Sequence, residues 1–544
     1  VTRLQPELNS KPQPTLRSIA GPVVVGGFGT AIAMWLTWLI GHQPWLDLPA
    51  AATGVVMLGW LIAGACFGGI HGGHRLGWLA GGGTTLVAAV LNLLIMGSLV
   101  AKSIDGTTPA QGSEGLTPSW YMTMLGFLGA SFVSGAMVGG VSGLVARTRD
   151  QRPLSTWAGR FAIVAAFAVA PLLLLGGLVT STGSGLAVPD WPGTYGANMF
   201  LYPIALMADP RIFLEHTHRL FGSLVGVTTI SLAIFMWTTP DLRKRLDVAA
   251  SIAAVVLIGV VLVAGLRMHM AESLDGLAFG GIAVAVAIGS VVWFLTALKF
   301  ERPAQAAAAL ILMVSAQGVL GGTRVTEANP LLGTIHGVLG QAYFASMVMF
   351  AAWVSPTARS LRAIDRPSAW VRNGAWMLLA ALLFQLVMGA MYRHGSMAAE
   401  PRAWAGPALH GHMVFSLVVV ILAAIVGFAL MGQGSGPSSE SNEAQDQRGA
   451  RVCGRLGKLL FVAVLLQFAL GWVAFALVTG GEQRVVPTAD QLADATGVPA
   501  ATALVTFVHQ ANGALLLATA STAVVWGGLV LGSQRQRRVQ PATA

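Results

Sequence analysis

From Leu16 onward the chain alternates long apolar runs with short polar loops. Each run holds about 20 residues, the length an α-helix needs to cross a hydrocarbon layer of roughly 30 Å. Fourteen runs are predicted, near 17–42, 50–70, 77–101, 120–146, 159–181, 213–238, 249–267, 275–298, 303–323, 329–354, 371–392, 405–431, 455–480 and 500–531. None has the two-residue alternation of a barrel strand, and in lipid only a helix satisfies all its backbone polar groups within one segment. The pattern therefore predicts an all-α polytopic membrane protein.

Composition agrees. The 544 residues are 55% hydrophobic and 10% charged, with a mean hydropathy of +0.69, which leaves too little polar surface for a soluble globule. A net charge of +10 would suit nucleic acid if it were clustered on one domain. Instead the Lys and Arg residues recur in every second loop, as in Arg147/Arg149/Arg152, Arg243/Lys244/Arg245 and Arg359/Arg362/Arg366. This is the positive-inside pattern. It predicts a multi-pass protein of a bacterial cytoplasmic membrane, with both termini cytoplasmic, lipid around it and no nucleic-acid partner. Val1 to Pro14 is polar and unlike a signal peptide, so the first span is expected to stay as an anchor. Cys66 and Cys453 lie far apart in the chain and indicate neither a disulfide framework nor a thiolate metal site.

Loops and repeats divide the chain. A charged stretch with Pro153 sets off a four-helix domain over 1–150 from ten further helices. Gln433 to Arg448 has the composition of a flexible cytoplasmic linker. EHTHRLFGS from Glu215 and LHGHMVFSL from Leu409 share His-x-His before an apolar run; TIHGVLGQAYFA from Thr334 and FVHQANGALLLA from Phe507 share a helix-opening His. Gln317 and Gln467 match in the helices before the latter two. The chain thus reads as two four-helix units, over 155–358 and 366–535. The first is interrupted by a helix pair, about 249–298, that resembles the pair after it but has Gly280 where His336 would stand.

Ionisable groups inside membrane helices are costly and by default mark function. His218, His336, His412 and His509 each fall near the start of a helix entering from the outer side. Two such histidines per unit suit bis-imidazole ligation of heme iron. A porphyrin also needs room, and the residues four positions on are Gly222, Gly340, Ser416 and Gly513, whereas His216 and His410 are followed by Leu220 and Val414. The four spaced histidines are therefore the predicted iron ligands. Glu215, one turn before His218 on the same face, would reach the edge of a bound heme and act on a substrate methyl group, or else pair with Arg219 as a structural ion pair. The second unit has Leu409 there, so the units are expected to differ in their work.

The string from Glu215 to Arg219, the loop TSTGSGLAVPDWPGTYG (Thr180 to Gly196), QGVLGGTRVTEANP from Gln317 and the His509-Gln510 pair together resemble the heme A synthase family of cytochrome oxidase assembly factors. The resemblance covers about 159–531. It implies an oxidoreductase that converts the C8 methyl of heme O to a formyl group, giving heme A for terminal oxidases. It further implies Glu215 as the essential acid, His218 and His336 at the substrate heme with Arg219 meeting a propionate, and His412 and His509 as ligands of a heme b cofactor. A heme O synthase and oxidase assembly proteins are the partners it suggests. The family core has eight helices where ten are predicted here, and the cysteine pair that some members carry in the first outer loop is absent. The resemblance does not extend to the N-terminal four helices; their His71 and His74, in GGIHGGHRLG, are expected in an inside loop. Two other readings compete: a b-type cytochrome that only passes electrons, and a secondary transporter with internal repeats.

Overall fold

The computed structural model describes residues 16–43, 46, 48–100, 118–146, 152–202, 206–242, 244–360, 369–432, 443–480 and 485–527. Its helices are α1 (Leu16–Gly41), α2 (Ala50–Val100), α3 (Pro118–Ala146), α4 (Leu154–Thr182), α5 (Pro210–Thr238), α6 (Arg245–Met270), α7 (Gly276–Lys299), α8 (Pro303–Thr326), α9 (Pro330–Val354), α10 (Pro356–Ser360), α11 (Ala369–Ser396), α12 (Ala405–Gly432), α13 (Glu443–Thr479) and α14 (Ala500–Val525). Among the described residues thirteen helices are long and apolar enough to cross a membrane, and no strand occurs beyond one isolated bridge, Thr194 to Ala197. The chain is an all-helical polytopic membrane protein. The second and third expected spans are two helices that share the range of α2 and are separated at Gly73, whose φ 63° and ψ −171° are not helical; a Cβ on Gly68 would lie 2.6 Å from the Ala80 carbonyl oxygen and one on Gly81 3.1 Å from that of Ala65, so the chain turns back on itself there as expected. A residue without Cβ takes that φ freely, so one glycine makes the expected turn. His71 and His74 flank this turn, and the His71 ring packs at 4.3 Å, tilted by 43°, on Phe67.

The chain divides into two compact units. The first comprises Val1–His42, Leu46–Met96 and Gly115–Trp157. Its helices meet through small residues, as expected where lipid removes the hydrophobic drive between helices and close backbone approach must supply dispersion. A Cβ on Gly139 would stand 2.6 Å from Cα of Gly81, and one on Gly143 would stand 2.7 Å from the carbonyl oxygen of Gly73.

The second unit runs essentially from Ala158 onward. Around α8 gather α5, α6, α7 and α9, while α11 to α14 pack in sequence and close into a ring through α11 against α14. Contacts of α9 with α11 and α14 join the two groups. The alanine run Ala306 to Ala309, all but inaccessible, lets α8 sit among four neighbours. A hydrogen bond of 2.6 Å between the Thr229 and Tyr343 hydroxyls ties α5 to α9. The pair α6–α7 lies against α8 and α9 with an apolar cluster of its own, including Leu262, Phe279, Leu320 and Leu332. Glu443 to Arg448, expected in the flexible linker, are the opening turns of α13: Glu, Ala, Gln and Arg are good helix formers, and no Gly or Pro interrupts them. The rest of that linker, residues 1–15, and Arg147, Arg149, Arg243, Arg362 and Arg366 lie outside the described residues.

Candidate functional site

Two devices set where the histidine-bearing helices of the first group begin. Asp209 caps α5 by accepting from Arg211 N at 2.7 Å, and Asn329 caps α9 by accepting from Leu331 N at 2.9 Å and Leu332 N at 3.2 Å. Each cap precedes a proline at the first helical position, where the missing N–H costs nothing. From these starts His218 is the ninth helical residue and His336 the seventh; His412 and His509 are the eighth and tenth of α12 and α14. The four histidines therefore stand two to three turns inside the starts of their helices. They come together as two pairs. The His218 and His336 rings have centroids 6.5 Å apart and planes at 88°; the His412 and His509 rings have centroids 6.2 Å apart and planes at 70°.

Each ring leans on a glycine of the helix preceding its own. A Cβ on Gly176 would lie 3.0 Å from His218 Cε1; on Gly321, 3.0 Å from His336 Cε1; on Gly389, 2.9 Å from His412 Cε1; on Gly471, 3.3 Å from His509 Cε1. One turn before each glycine a backbone carbonyl faces the ring: Leu172, Gln317, Gln385 and Gln467 respectively. The geometry follows from the helical hairpin, in which residues shortly before one helix ends lie opposite residues shortly after the next begins. A glycine there lets the imidazole approach the carbonyl that a side chain would cover. Sequence reading found the histidines and matched Gln317 to Gln467. It missed the glycines, whose signal is a Gln-x-x-x-Gly string beginning at Gln317, Gln385 and Gln467.

The same hairpin design accounts for α6–α7. Gly265 and Gly280 correspond to Gly321 and His336 at an offset of 56, and Val261 takes the place of Gln317. The Gly265 notch is filled instead by the Phe279 ring, 2.6 Å from where a Cβ would stand. Glutamine and histidine are both missing from this pair, and an aromatic closes the space.

Around the first pair the polar groups are dense. Glu215, 2% exposed, accepts from Arg219 Nε at 3.3 Å and from Arg324 Nη2 at 3.4 and 3.5 Å. Arg219 also donates to the carbonyls of Asp190 (2.6 Å), Gly193 (3.1 Å) and Val188 (2.9 Å), so most of its donors clamp the 183–209 loop. Arg324, which sequence reasoning passed over within QGVLGGTRVTEANP, has its Nε buried with no partner. His394 was also missed, because the expected span stopped at 392 whereas α11 continues to Ser396. Its ring packs on Gly333 of α9, within 3.0 Å of where a Cβ would be, one turn before His336. His216 faces away, with Nδ1 3.1 Å from the Thr194 hydroxyl and its ring 5.4 Å from Tyr202. His410 is exposed and bonds only the Gly406 carbonyl of its own helix.

The 183–209 loop is held as a lid on this end of the group. Asp190 accepts from Tyr195 N at 2.7 Å and Gly196 N at 2.9 Å, and the Trp191 ring fills the notch over Gly322, 2.1 Å from a built Cβ. Burial, with the charges of Asp209 and Asp190, pushes the Tyr195 phenol above its usual range. At Asp209 burial pushes the carboxyl up, but hydrogen bonds and charge from Arg211 outweigh it and hold the group low.

Among the described residues no three His, Cys, Asp or Glu side chains converge as a bare ion would require; the histidines come in twos. Residues 159–273, which run from α4 to the end of α6, match the family of cytochrome oxidase assembly proteins. Two curated relatives are named heme A synthase. That of Alkalihalophilus pseudofirmus is 32% identical and that of Shouchella clausii 30% identical, each over 147 residues, 26% of this chain and 46% of the relative. The chain thus spans about half the length of the curated relatives it matches. No solved structure matches it.

Proposed function

We propose that this chain, which belongs to the heme A synthase family, oxidises the C8 methyl of heme O to a formyl group at the His218–His336 pair and carries a heme b at the His412–His509 pair. One observation carries the reading: the spacing of the rings. Two metal–nitrogen bonds of about 2.0–2.1 Å, each followed by roughly 1.1 Å from ring nitrogen to centroid, place axial imidazoles about 6.3 Å apart. The pairs stand at 6.5 and 6.2 Å, the centroid spacing that two imidazoles sharing one iron would need. The position one turn beyond His218 is open, since a Cβ on Gly222 would meet nothing within 4 Å.

Bound heme supplies the redox-active iron. The chain's residues supply the rest. Carbonyls of Leu172, Gln317, Gln385 and Gln467 face the rings and favour the tautomer with the proton on Nδ1, which leaves Nε2 free to ligate. Glu215 lies one turn from His218, where its carboxylate would take up a proton from the substrate's methyl-derived group or stabilise positive charge developing on it. Arg219 and Arg324 keep Glu215 aimed, and the loop locked by Asp190 and Trp191 excludes water from that end. The second pair has Leu409 in place of the acid, so it is suited to electron transfer alone. The homologous family and the positive-inside pattern support a bacterial cytoplasmic membrane with both sites toward the outer face, heme O as substrate and heme A as product.

The test is direct. Purified protein should show a low-spin bis-histidine spectrum, and membranes of cells that make heme O should yield heme A only on expression. Glu215→Gln should keep the spectrum and abolish heme A. Heme A formed at the normal rate by Glu215→Gln would refute the assignment of the acid, and a heme-free protein would refute the whole reading.

A further inference from the structure

Beside the first histidine pair lies a cavity of about 210 Å³. α4 encloses it from Gly177 to Ala170, α9 at Gln341 and Phe344, and α14 from Gln510 to Ala518. One end adjoins the His218 cradle. Gly177 directly follows Gly176, and the Gln510 amide oxygen seats over it, 2.8 Å from a built Cβ. From there the cavity runs away from the starts of α9 and α14. Gln341 lies five residues beyond His336 and Ala518 nine beyond His509, so at about 1.5 Å per residue these walls stand roughly 7 and 13 Å further along than the histidines. The lining is aliphatic and aromatic apart from two glutamines. Gln341 is 4% exposed, and its amide oxygen is buried with no hydrogen-bond partner. Aligning TIHGVLGQAYFA with FVHQANGALLLA sets Ala514 opposite Gln341, so the second unit lacks this acceptor.

We propose that this cavity takes the hydroxyethylfarnesyl tail of heme O, with Gln341 accepting from the tail's hydroxyl, so that the first site selects heme O and the second keeps heme b. The inference rests on the heme reading above and adds the basis of substrate choice to it. Heme O and heme b share iron, ring and both propionates. They differ in one substituent, an isoprenoid chain with a hydroxyl at its root in heme O and a vinyl group in heme b. Two otherwise similar sites can tell these molecules apart only through that group. The orientation agrees. On the ring the tail leaves from the edge opposite the propionates. Glu215, Arg219 and Arg324 crowd the end of the first site under the 183–209 loop, and two guanidinium groups there suit the propionate edge. The opposite edge then faces along the helices in the direction the cavity takes. The orphaned acceptor narrows the choice of occupant. A lipid acyl chain brings no donor to the Gln341 oxygen and a quinone brings only acceptors, whereas the tail's alcohol supplies the O–H that the site lacks.

Comparison of two hemes provides the test. Full-length protein holding heme b in its second site is titrated in detergent with heme O and, separately, with further heme b, and the ratio of the two affinities is read from the Soret band. Ala514 lines the cavity, so Ala514→Phe places a ring where the tail would run. It should lower the ratio of heme O to heme b affinity about 5–150-fold, the effect of overpacking a filled space. Gln341→Leu keeps the shape and removes the acceptor, and should lower the ratio about 2–10-fold. Both changes should act through heme O alone. An unchanged ratio in folded Ala514→Phe protein would overturn the proposal and spare the heme reading. If Ala514→Phe does not fold, an unchanged ratio in Gln341→Leu overturns it equally. Protein that takes up neither heme would overturn both.

Discussion

Replacing Gly389 by alanine isolates the glycine cradle from everything else at the second site. The added methyl would stand 2.9 Å from His412 Cε1, where ordinary carbon contacts lie at 3.4–4 Å. The ring or helix must therefore yield by at least about 0.5 Å, and overpacking of this kind costs about 1–3 kcal/mol. Ring movement away from α11 stretches the 2.9 Å contact between Nδ1 and the Gln385 carbonyl towards or past the limit of a useful hydrogen bond. Loss of that outer partner should weaken heme binding about 10–100-fold. The opposing term is small and of opposite sign, since alanine in a helix interior is favoured over glycine by about 0.8–1.0 kcal/mol. A loss of heme thus cannot be assigned to a weakened α11. Heme titration of the apoprotein, followed in the Soret band alongside a melting curve, is the assay. The expected outcome is one heme bound at wild-type affinity, one bound weakly, and a melting temperature of the apoprotein within a few degrees of wild type. Two hemes bound at wild-type affinity would refute the cradle.

Gly222→Ala perturbs the opposite side of the argument: a Cβ there meets no protein atom within 4 Å, so the apoprotein should melt normally while the first site loses heme, and an unaffected heme titration would show that the space is not the porphyrin's. Glu215→Ala should destabilise the protein by about 3–5 kcal/mol, because Arg324 keeps its charge beside a vacated partner, whereas Glu215→Gln should melt closer to wild type; thermal unfolding in detergent separates the two. Asp209→Asn should destabilise α5 and the Arg211 bridge to the Leu492 carbonyl (2.6 Å). Because the Asp209 carboxyl is held below its ordinary value, its contribution is present above the unfolded-state value near 4 and is lost as pH falls through the lower folded-state value. The difference in melting temperature between wild type and variant should accordingly shrink at acid pH, and a constant difference would contradict the assignment.

Apolar run length and the internal repeats were enough to determine an all-helical membrane chain with a repeated helix unit, because lipid leaves the backbone only one way to satisfy itself within a segment. The four histidines were legible for a related reason: an imidazole in hydrocarbon is expensive enough to stand out against its neighbours, and the residue four positions on separated His218 from His216 and His412 from His410. Other features were not legible because they depend on what faces what. Gly321 carries a local mark, standing four residues after Gln317, but only its place opposite His336 gives that mark a meaning. Arg324 looked like a helix-end arginine until the fold set it against Glu215, 109 residues away. The turn at Gly73 was legible as the gap between two apolar runs, but that a single residue of positive φ makes it was not. Sequence determined which residues are costly to bury. Tertiary structure alone decided which of them meet, because pairing across a hairpin depends on the positions of both helix ends, and the caps, loops and notches that set those ends are distributed along the whole chain.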